Sequence, residues 1–327
     1  MDRVSAVPAG ELRLDQRVIT VLPLAGQRWL VQCSDAGELL VVDAQLEPLW
    51  RLSVPAGWRG THAVADDLSL VALSLRDHVL LLDHSGHQVA RFGHHPWGNS
   101  DSELGCCVFA PDGRHLWATV PTWSPEQPLL ANDELWLIDL TAWAVRDRRK
   151  LNVAAAGSTP LRHPDGHTVG LAIGEGQDGA RIRWARPARG KIALRAAPSY
   201  DRILVDIRQS GGEYLTTPHS QGVDELCRHR FADDQPVDRL PPPANIDPGG
   251  HWGHKAGYLT DELVLAHITG SRRHVLIQRE PLRVLATIAY PDGDTPGWWC
   301  VTGQSAWLTI GPEGIQRWVL PPLRDQL

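Results

Sequence analysis

Short apolar runs that alternate with polar residues recur along the chain, and each of them predicts a β-strand. Three of these runs end in an aspartate: residues 38–43 (ELLVVD), 77–83 (DHVLLLD) and 134–139 (ELWLID). Each lies between two further runs with strand character, and Pro-Asp-Gly segments at 111–113 and 164–166 predict tight turns. The chain shows no long amphipathic helical pattern, which argues against an α/β fold.

The strand groups repeat seven times. Equivalent strands end near residues 43, 83, 139, 185, 229, 278 and 319, so the mean spacing is about 46 residues, and the longest step contains a proline-rich insertion at 121–128. Four short strands in each repeat of this length are the pattern of a β-propeller blade. We therefore predict an all-β fold, a seven-bladed β-propeller, as a single domain over residues 1–327.

The last repeat is incomplete. Pro321 and Pro322 follow its third strand, and proline cannot donate a hydrogen bond to a strand ladder. An alternating segment before the first repeat, ending at Glu11–Leu14, has no place in a repeat of its own. We predict that this N-terminal strand completes the last blade and closes the propeller, which leaves no open edge between first and last blades.

The sequence resembles the WD-repeat and related seven-bladed propellers. The likeness lies in the apolar–apolar–Asp ends at Asp43, Asp83 and Asp139 and in the stretch PDGRHLW that begins at Pro111. This resemblance implies a scaffold more often than a catalyst.

Net charge and the lengths of the apolar runs limit the kinds of partner and the cellular compartment that we expect. The net charge of −6 provides no global basic field, so we expect no nucleic-acid partner. The N-terminus lacks a signal-peptide pattern, and the apolar runs fall far short of the roughly 20 residues of a membrane helix. We expect a cytoplasmic monomer with no membrane association, and the excess of Arg over Lys suggests a bacterial source. Five scattered cysteines are expected to be reduced and mostly buried: Cys33, Cys106, Cys107, Cys227 and Cys300.

Tryptophan is abundant, with 14 residues against 3 phenylalanines. Seven tryptophans fall on predicted strands and are expected in the core: Trp29, Trp50, Trp117, Trp136, Trp184, Trp307 and Trp318. Four others recur near glycines in the loops between blades, where they either pack beneath the channel mouth or form an aromatic binding surface. The predicted partner-binding residues are Trp58, Arg59, Trp97, Trp252 and Trp298.

Two histidine clusters, at 93–103 and 249–255, lie in the same type of loop. Imidazoles with carboxylates can bind a transition metal or activate water, although hydrogen-bonded or solvated histidines are the simpler interpretation. The alternative metal-binding set is His94, His95, Asp101, Glu103, His251 and His254.

Two other motifs have structural interpretations. GEGQDG at 174–179 fits the dinucleotide-binding pattern, but a strand-like segment follows it instead of a helix, so we predict a hairpin turn. The basic run Arg146, Arg148, Arg149 and Lys150 is expected on a solvated outer strand, with phosphate or acidic-peptide contact as the alternative.

These patterns predict a non-enzymatic scaffold without a cofactor, which binds a protein or peptide partner through inter-blade loops at one channel mouth. The alternative is a propeller enzyme, a metal-assisted hydrolase or lactonase-like protein that carries one divalent metal ion at the same mouth.

Overall fold

The computed structural model describes residues 2–33, 37–54, 60–97, 105–122, 132–154, 157–175, 179–219, 224–291, 293, 300–303, 305–311 and 314–321. These residues form strands joined by turns and bends, and no helix occurs among them. The described part of the chain accordingly holds no apolar helix that could cross a bilayer.

The strands are short, as the alternating runs predict. In chain order they are β1 (Asp2–Ser5), β2 (Val7–Arg13), β3 (Val18–Leu24), β4 (Arg28–Cys33), β5 (Glu38–Val42), β6 (Pro48–Ser53), β7 (Ala63–Val64), β8 (Leu70–Ser74), β9 (His78–Asp83), β10 (Gln88–Gly93), β11 (Cys106–Phe109), β12 (His115–Thr122), β13 (Asn132–Asp139), β14 (Ala144–Ala154), β15 (Ser158–Arg162), β16 (Val169–Gly174), β17 (Ala180–Ala188), β18 (Lys191–Tyr200), β19 (Arg202–Ile207), β20 (Glu213–Pro218), β21 (Leu226–Arg230), β22 (Pro236–Leu240), β23 (Trp252–Tyr258), β24 (Leu263–Ile268), β25 (Arg273–Gln278), β26 (Arg283–Ala289), β27 (Cys300–Gly303), β28 (Ala306–Gly311) and β29 (Gly314–Val319).

The strands form seven sheets, six of four strands and one of five. Blade 1 is β3–β6, blade 2 is β7–β10, blade 3 is β11–β14, blade 4 is β15–β18, blade 5 is β19–β22, blade 6 is β23–β26, and blade 7 is β27–β29 with β2. This is a seven-bladed β-propeller, and the predicted fold class is confirmed.

Contacts divide the chain into two compact units, Met1–Ala56 with Val205–Leu327, and Gly57–Leu204. The first contains blades 1, 5, 6 and 7, and the second contains blades 2, 3 and 4, with β19 crossing the division in sequence. The prediction of a single domain over residues 1–327 stays a prediction.

The N-terminal strand completes blade 7, as predicted. Strand β2 pairs antiparallel with β29, placing Pro8 opposite Trp318 and Leu12 opposite Ile315. The preceding strand β1 was not predicted, because four residues with one buried position carry no recognisable pattern. It adds a fifth strand to blade 6, parallel to β26, and its buried Val4 lies opposite Ile288.

The aspartates that end the apolar runs close the turns between third and fourth strands. In Asp43 and Asp83, Oδ1 accepts the backbone N–H groups two and four residues further on, at 2.8–3.0 Å. Asp139 accepts both the backbone N–H and the hydroxyl of Thr141, and these bonds hold the pKa of its carboxyl at about 2. The repeated aspartate thus stabilises the turn through its carboxylate.

The core lies within and between the sheets of each unit. The strand tryptophans Trp29, Trp117, Trp136, Trp184, Trp307 and Trp318 are buried, as predicted. The same prediction was wrong for Trp50, which is only half-buried because it lies on β6, the last strand of its sheet.

The cysteines follow the prediction where their side chains are described. Cys33, Cys106, Cys107 and Cys227 are free and buried. The glycine-rich segment that begins at Gly174 lies in the β16–β17 hairpin, and Gly174 pairs with Ala180. The proline-rich insertion is shorter than predicted at its start, because Pro121 still belongs to β12 and pairs with Asp133.

Candidate binding surface

Two of the predicted partner-binding tryptophans are buried. Trp97 is 6% exposed and Trp252 is 2% exposed, and the Trp252 indole N–H donates to the carbonyl oxygen of Leu240 at 2.8 Å. Protein atoms cover both rings, so these two residues do not form an exposed aromatic surface. They pack in the interior, which is the other of the two interpretations of the loop tryptophans. Trp58, Arg59 and Trp298 lie outside the described residues.

The first histidine cluster contributes one half-buried ring and one exposed ring. His94 Nδ1 donates to the carbonyl oxygen of His95 at 2.6 Å, and its ring meets Trp136 edge-on. Burial lowers the pKa of His94, so the ring is neutral at neutral pH. Asp101 and Glu103 lie outside the described residues.

The second cluster contains a hydrogen bond between a histidine and an aspartate. His251 Nδ1 lies 3.0 Å from Asp224 Oδ1, and both side chains are partly exposed. Within the described part of the chain, no three histidine, cysteine or acidic side chains come together in a way that could hold a metal ion. The alternative metal site stays a prediction, since part of its ligand set is not described.

The chain opens blade 6 with a β-bulge. Trp252 pairs with Ile268 and Ala256 pairs with Ala266, so four steps along β23 match only two along β24. Gly253, His254 and Lys255 therefore lie outside the regular ladder. A bulge of this kind re-aims side chains, and His254 is exposed although both of its neighbours are at least partly covered.

Two further histidines flank the bulge. The ring of His219, which follows β20, stacks on His254 with the centroids 6.1 Å apart and the planes at 9°. On the other side, His267 lies so close to the backbone that a Cβ on Gly253 would be 2.5 Å from its Nδ1. Glycine at position 253 is what allows this approach. We call His219, His254, Lys255 and His267 the β23 surface.

Two imidazoles of the β23 surface, those of His254 and His267, are neutral and lie beside cationic side chains. Desolvation lowers the pKa of His254, a hydrogen bond to the backbone of His219 opposes that shift, and the charges of His219 and Lys255 add to it. Desolvation also lowers the pKa of His267, with Arg272 acting in the same direction. Neutral imidazole N–H groups and an ammonium group are donors, so this surface suits a ligand that presents carbonyl or carboxylate oxygens.

A series of buried, hydrogen-bonded side chains leads from Trp307 to His274, whose ring contacts His267 of the β23 surface. Trp307 Nε1 donates to the Tyr290 hydroxyl at 2.9 Å, and that hydroxyl is hydrogen-bonded to His274 Nδ1. His274 is 1% exposed, its ring meets that of His267, and burial lowers its pKa to about 3. A neutral His274 can accept the hydroxyl proton at Nδ1, which holds its ring in place beside His267.

The sequence predicted part of this surface. His254 was identified from its cluster as an alternative metal ligand, but His219 is remote in sequence and no local pattern indicated it. The one available signal was Gly253 inside a strand, since an isolated glycine there suggests a bulge or a close backbone approach.

Comparisons with known proteins identify the fold and no family. No protein-family model matches the chain, and no curated protein matches it. Among solved structures, the chain is similar to the β-propeller domain of Cps50 (Swd1) from Myceliophteria thermophila, with a TM-score of 0.64 and 12% sequence identity. The match covers 97% of this chain and 100% of that domain. At this identity the likeness supports the β-propeller fold and says nothing of shared chemistry.

Proposed function

We propose that this protein is a non-enzymatic scaffold that binds a protein or peptide partner through the β23 surface. The observation that carries the proposal is the bulge between Trp252 and Ala256. A strand that leaves its ladder loses backbone hydrogen bonds, and such bulges concentrate where a protein presents side chains to a ligand. Here the displaced segment presents His254, with His219 stacked against it.

Other polar side chains in blade 5 are engaged in internal hydrogen bonds. The Tyr214 hydroxyl donates to Asp234 Oδ1 at 2.9 Å, and Thr216 Oγ1 lies 2.9 Å from His229 Nε2. These groups are buried and stabilise the sheet. The β23 surface differs because His254 is exposed, which makes it available to a partner.

The chemistry of the surface suggests the type of partner. Neutral imidazoles and Lys255 would bind backbone carbonyls and carboxylates of a polypeptide, and the net charge of −6 disfavours a nucleic acid. The propeller fold, shared with the Swd1 domain, provides a rigid platform for such a contact. A cytoplasmic location and a monomeric state are part of the same proposal.

Partner capture tests the proposal. The tagged full chain is used as bait, and the variant His254→Ala/Lys255→Ala is compared with His167→Ala/Lys191→Ala, which removes an exposed histidine and lysine from blade 4. We expect recovery of a specific partner to fall roughly tenfold or more in the first variant and to be unchanged in the control. Equal recovery with both variants would remove the β23 surface from the proposal.

The enzymatic alternative has one observation in its favour. Asp224 can orient His251, as an acidic partner orients the imidazole of a general base. Elemental analysis of the purified protein distinguishes the two functions. About one divalent metal per chain, lost in His254→Ala while partner recovery is unchanged, would favour the enzyme.

A further inference from the structure

The third strand of blade 4 carries two arginines on one face, and the carboxylate of Glu175 lies next to them. Arg181 and Arg183 are two residues apart on β17, so their side chains leave the same face of the strand. Arg181 Nε donates to Glu175 Oε2 at 2.6 Å, and the Glu175 side chain is only 6% exposed. The Glu175 carboxylate is therefore already bound to Arg181, and the carboxylate of Asp201 lies near Gly179.

Arg183 has no counter-ion among the residues that the structure describes. It is half-buried, and within the described residues its guanidinium makes no ion pair, while its hydrogen bond to the carbonyl oxygen of Ile182 is long, at 3.4 Å. Desolvation lowers the pKa of Arg183, and repulsion from Arg181 lowers it further, against a smaller attraction from Glu175. An anionic group placed beside Arg183 would relieve both costs.

The fourth strand is bulged at this position. Arg181 pairs with Tyr200 and Arg183 pairs with Ala196, so four steps along β18 match two along β17. Pro198 lies inside the bulge and has no N–H to donate. The hydroxyl oxygen of Ser199, in the same bulge, is buried and has no hydrogen-bond partner among the described residues.

An exposed aromatic ring borders the two arginines. Tyr200 is 56% exposed, and the Arg181 guanidinium carbon lies 5.4 Å from the centroid of its ring. The ring also rests against Gly179, where a Cβ would lie 3.3 Å from the Tyr200 hydroxyl. Tyrosine and arginine are the residue types that most often dominate binding energy at protein interfaces.

We propose that Arg183 and Tyr200 form a second interaction surface, which binds an acidic peptide segment of a partner protein. A carboxylate of the segment pairs with the Arg183 guanidinium, whose planar fork matches carboxylate geometry. An apolar side chain next to that carboxylate packs on the exposed face of Tyr200. A single unneutralised cation on the same strand face as the Arg181–Tyr200 contact fits a peptide better than a nucleic acid, which needs a run of cations along its backbone.

The surface lies in the unit Gly57–Leu204, whereas the β23 surface belongs to the unit that contains Val205–Leu327. Fluorescence anisotropy with a labelled hexaglutamate peptide tests it, using the full chain in low salt at about pH 8, where imidazoles are neutral. We expect binding to weaken roughly tenfold to a hundredfold in Arg183→Gln, because a charge-assisted hydrogen-bonded pair is lost. Arg183→Lys should lose less, since it keeps the charge without the fork.

The matched control is Arg186→Gln, an exposed arginine on the opposite face of the same strand. It should bind the peptide like the wild type, and so should His254→Ala/Lys255→Ala, which keeps this test separate from that of the proposed function. Arg183→Gln should also unfold no more readily than the wild type, since it removes a desolvated, repelled charge.

Three results would overturn the assignment. The first is no binding by the wild type, and the second is equal loss in Arg183→Gln and Arg186→Gln. The third is equal binding of hexaglutamine, or of a single-stranded oligonucleotide, with the same dependence on Arg183.

Discussion

Two bulges of the same size lie in different sheets and expose different chemistry. In blade 6 the bulge is in β23, the first strand, and in blade 4 it is in β18, the fourth strand. Both set four steps of one strand against two of its neighbour. The first presents a stacked pair of imidazoles, and the second brings Arg181 onto the ring of Tyr200, with Arg183, which makes no ion pair among the described residues, two positions along the same strand. Both sheets have the same kind of bulge, and the side chains next to each bulge decide which ligand it can bind.

Blade 5 and blade 4 also differ in whether a covered arginine has a carboxylate partner. Arg228 in blade 5 is 7% exposed at its side chain and pairs with Glu213 at 2.7 Å. Glu213 also accepts from Arg279 at 3.0 Å, so it joins two cations across blades 5 and 6. Arg183 in blade 4 has no such partner in the described part of the chain. A covered cation without an ion pair in the described part of the chain, in contrast to Arg228, marks a place where a ligand can supply the missing charge.

The largest expected effect is on the paired region. Glu213→Gln would remove the carboxylate closest to Arg228, whose remaining partners Asp238 and Glu280 lie 3.8–3.9 Å away, while Arg279 keeps Glu280 at 2.9 Å. Breaking a buried ion pair in this way costs about 3 kcal/mol. Arg183→Gln should change the free energy of unfolding by less than about 1 kcal/mol. Urea denaturation measures both. Similar losses in the two variants would erase the distinction between the paired and unpaired regions.

The next largest effect is a loss of stability in acid, which we attribute to His274. Its pKa is about 3 in the folded protein, against the ordinary histidine value of 6.5. Between these two pH values the unfolded chain therefore binds a proton that the folded chain does not. Stability should therefore fall as the pH decreases from 6.5 towards 3, with a slope approaching about 1.4 kcal/mol per pH unit from this residue.

His274→Gln should flatten that dependence, because an amide oxygen can still accept from Tyr290 and does not titrate. Unfolding free energies measured across this pH range would show it. His167→Gln, at an exposed position, is the control and should keep the slope of the wild type. A slope that is identical in both variants would mean that other groups cause the acid sensitivity.

The smallest effects come from the glycines beside each bulge. A Cβ at Gly253 would lie 2.5 Å from His267 Nδ1, so Gly253→Ala should cost about 1–3 kcal/mol by overpacking. Gly179 has a φ of +108°, and a Cβ there would lie 3.0 Å from Asp201 Oδ1, so Gly179→Ala should cost about 1–3 kcal/mol in strain.

These two variants separate the surfaces. Gly179→Ala should weaken hexaglutamate binding because it displaces Tyr200, and Gly253→Ala should leave that binding unchanged. Thermal unfolding and anisotropy provide the two measurements, and Gly93→Ala, where a Cβ meets nothing within 4 Å, is the neutral control. Loss of peptide binding in both variants would mean that the surfaces are not independent.

The local sequence pattern predicted the fold well because the same strand and turn patterns recur from blade to blade. The apolar runs ending at Asp43, Asp83 and Asp139 are strands whose final carboxylate closes the next turn. The incomplete last repeat likewise predicted the pairing of β2 with β29. Pattern was less reliable where exposure depends on a strand's position in its sheet. Trp50 was expected in the core and is half-buried, and for Trp252 the pattern left packing beneath the channel mouth and an aromatic binding surface both open.

The order of residues alone determined the number of blades, the turn chemistry and the strand that completes blade 7, because these follow from alternation, turn residues and a count of repeats. Tertiary structure decided the rest. Residues far apart in sequence, such as His219 and His254, come together across blades 5 and 6. The ladder register decides where a bulge falls, and only the packed structure decides whether a cation such as Arg183 or Arg228 finds a carboxylate.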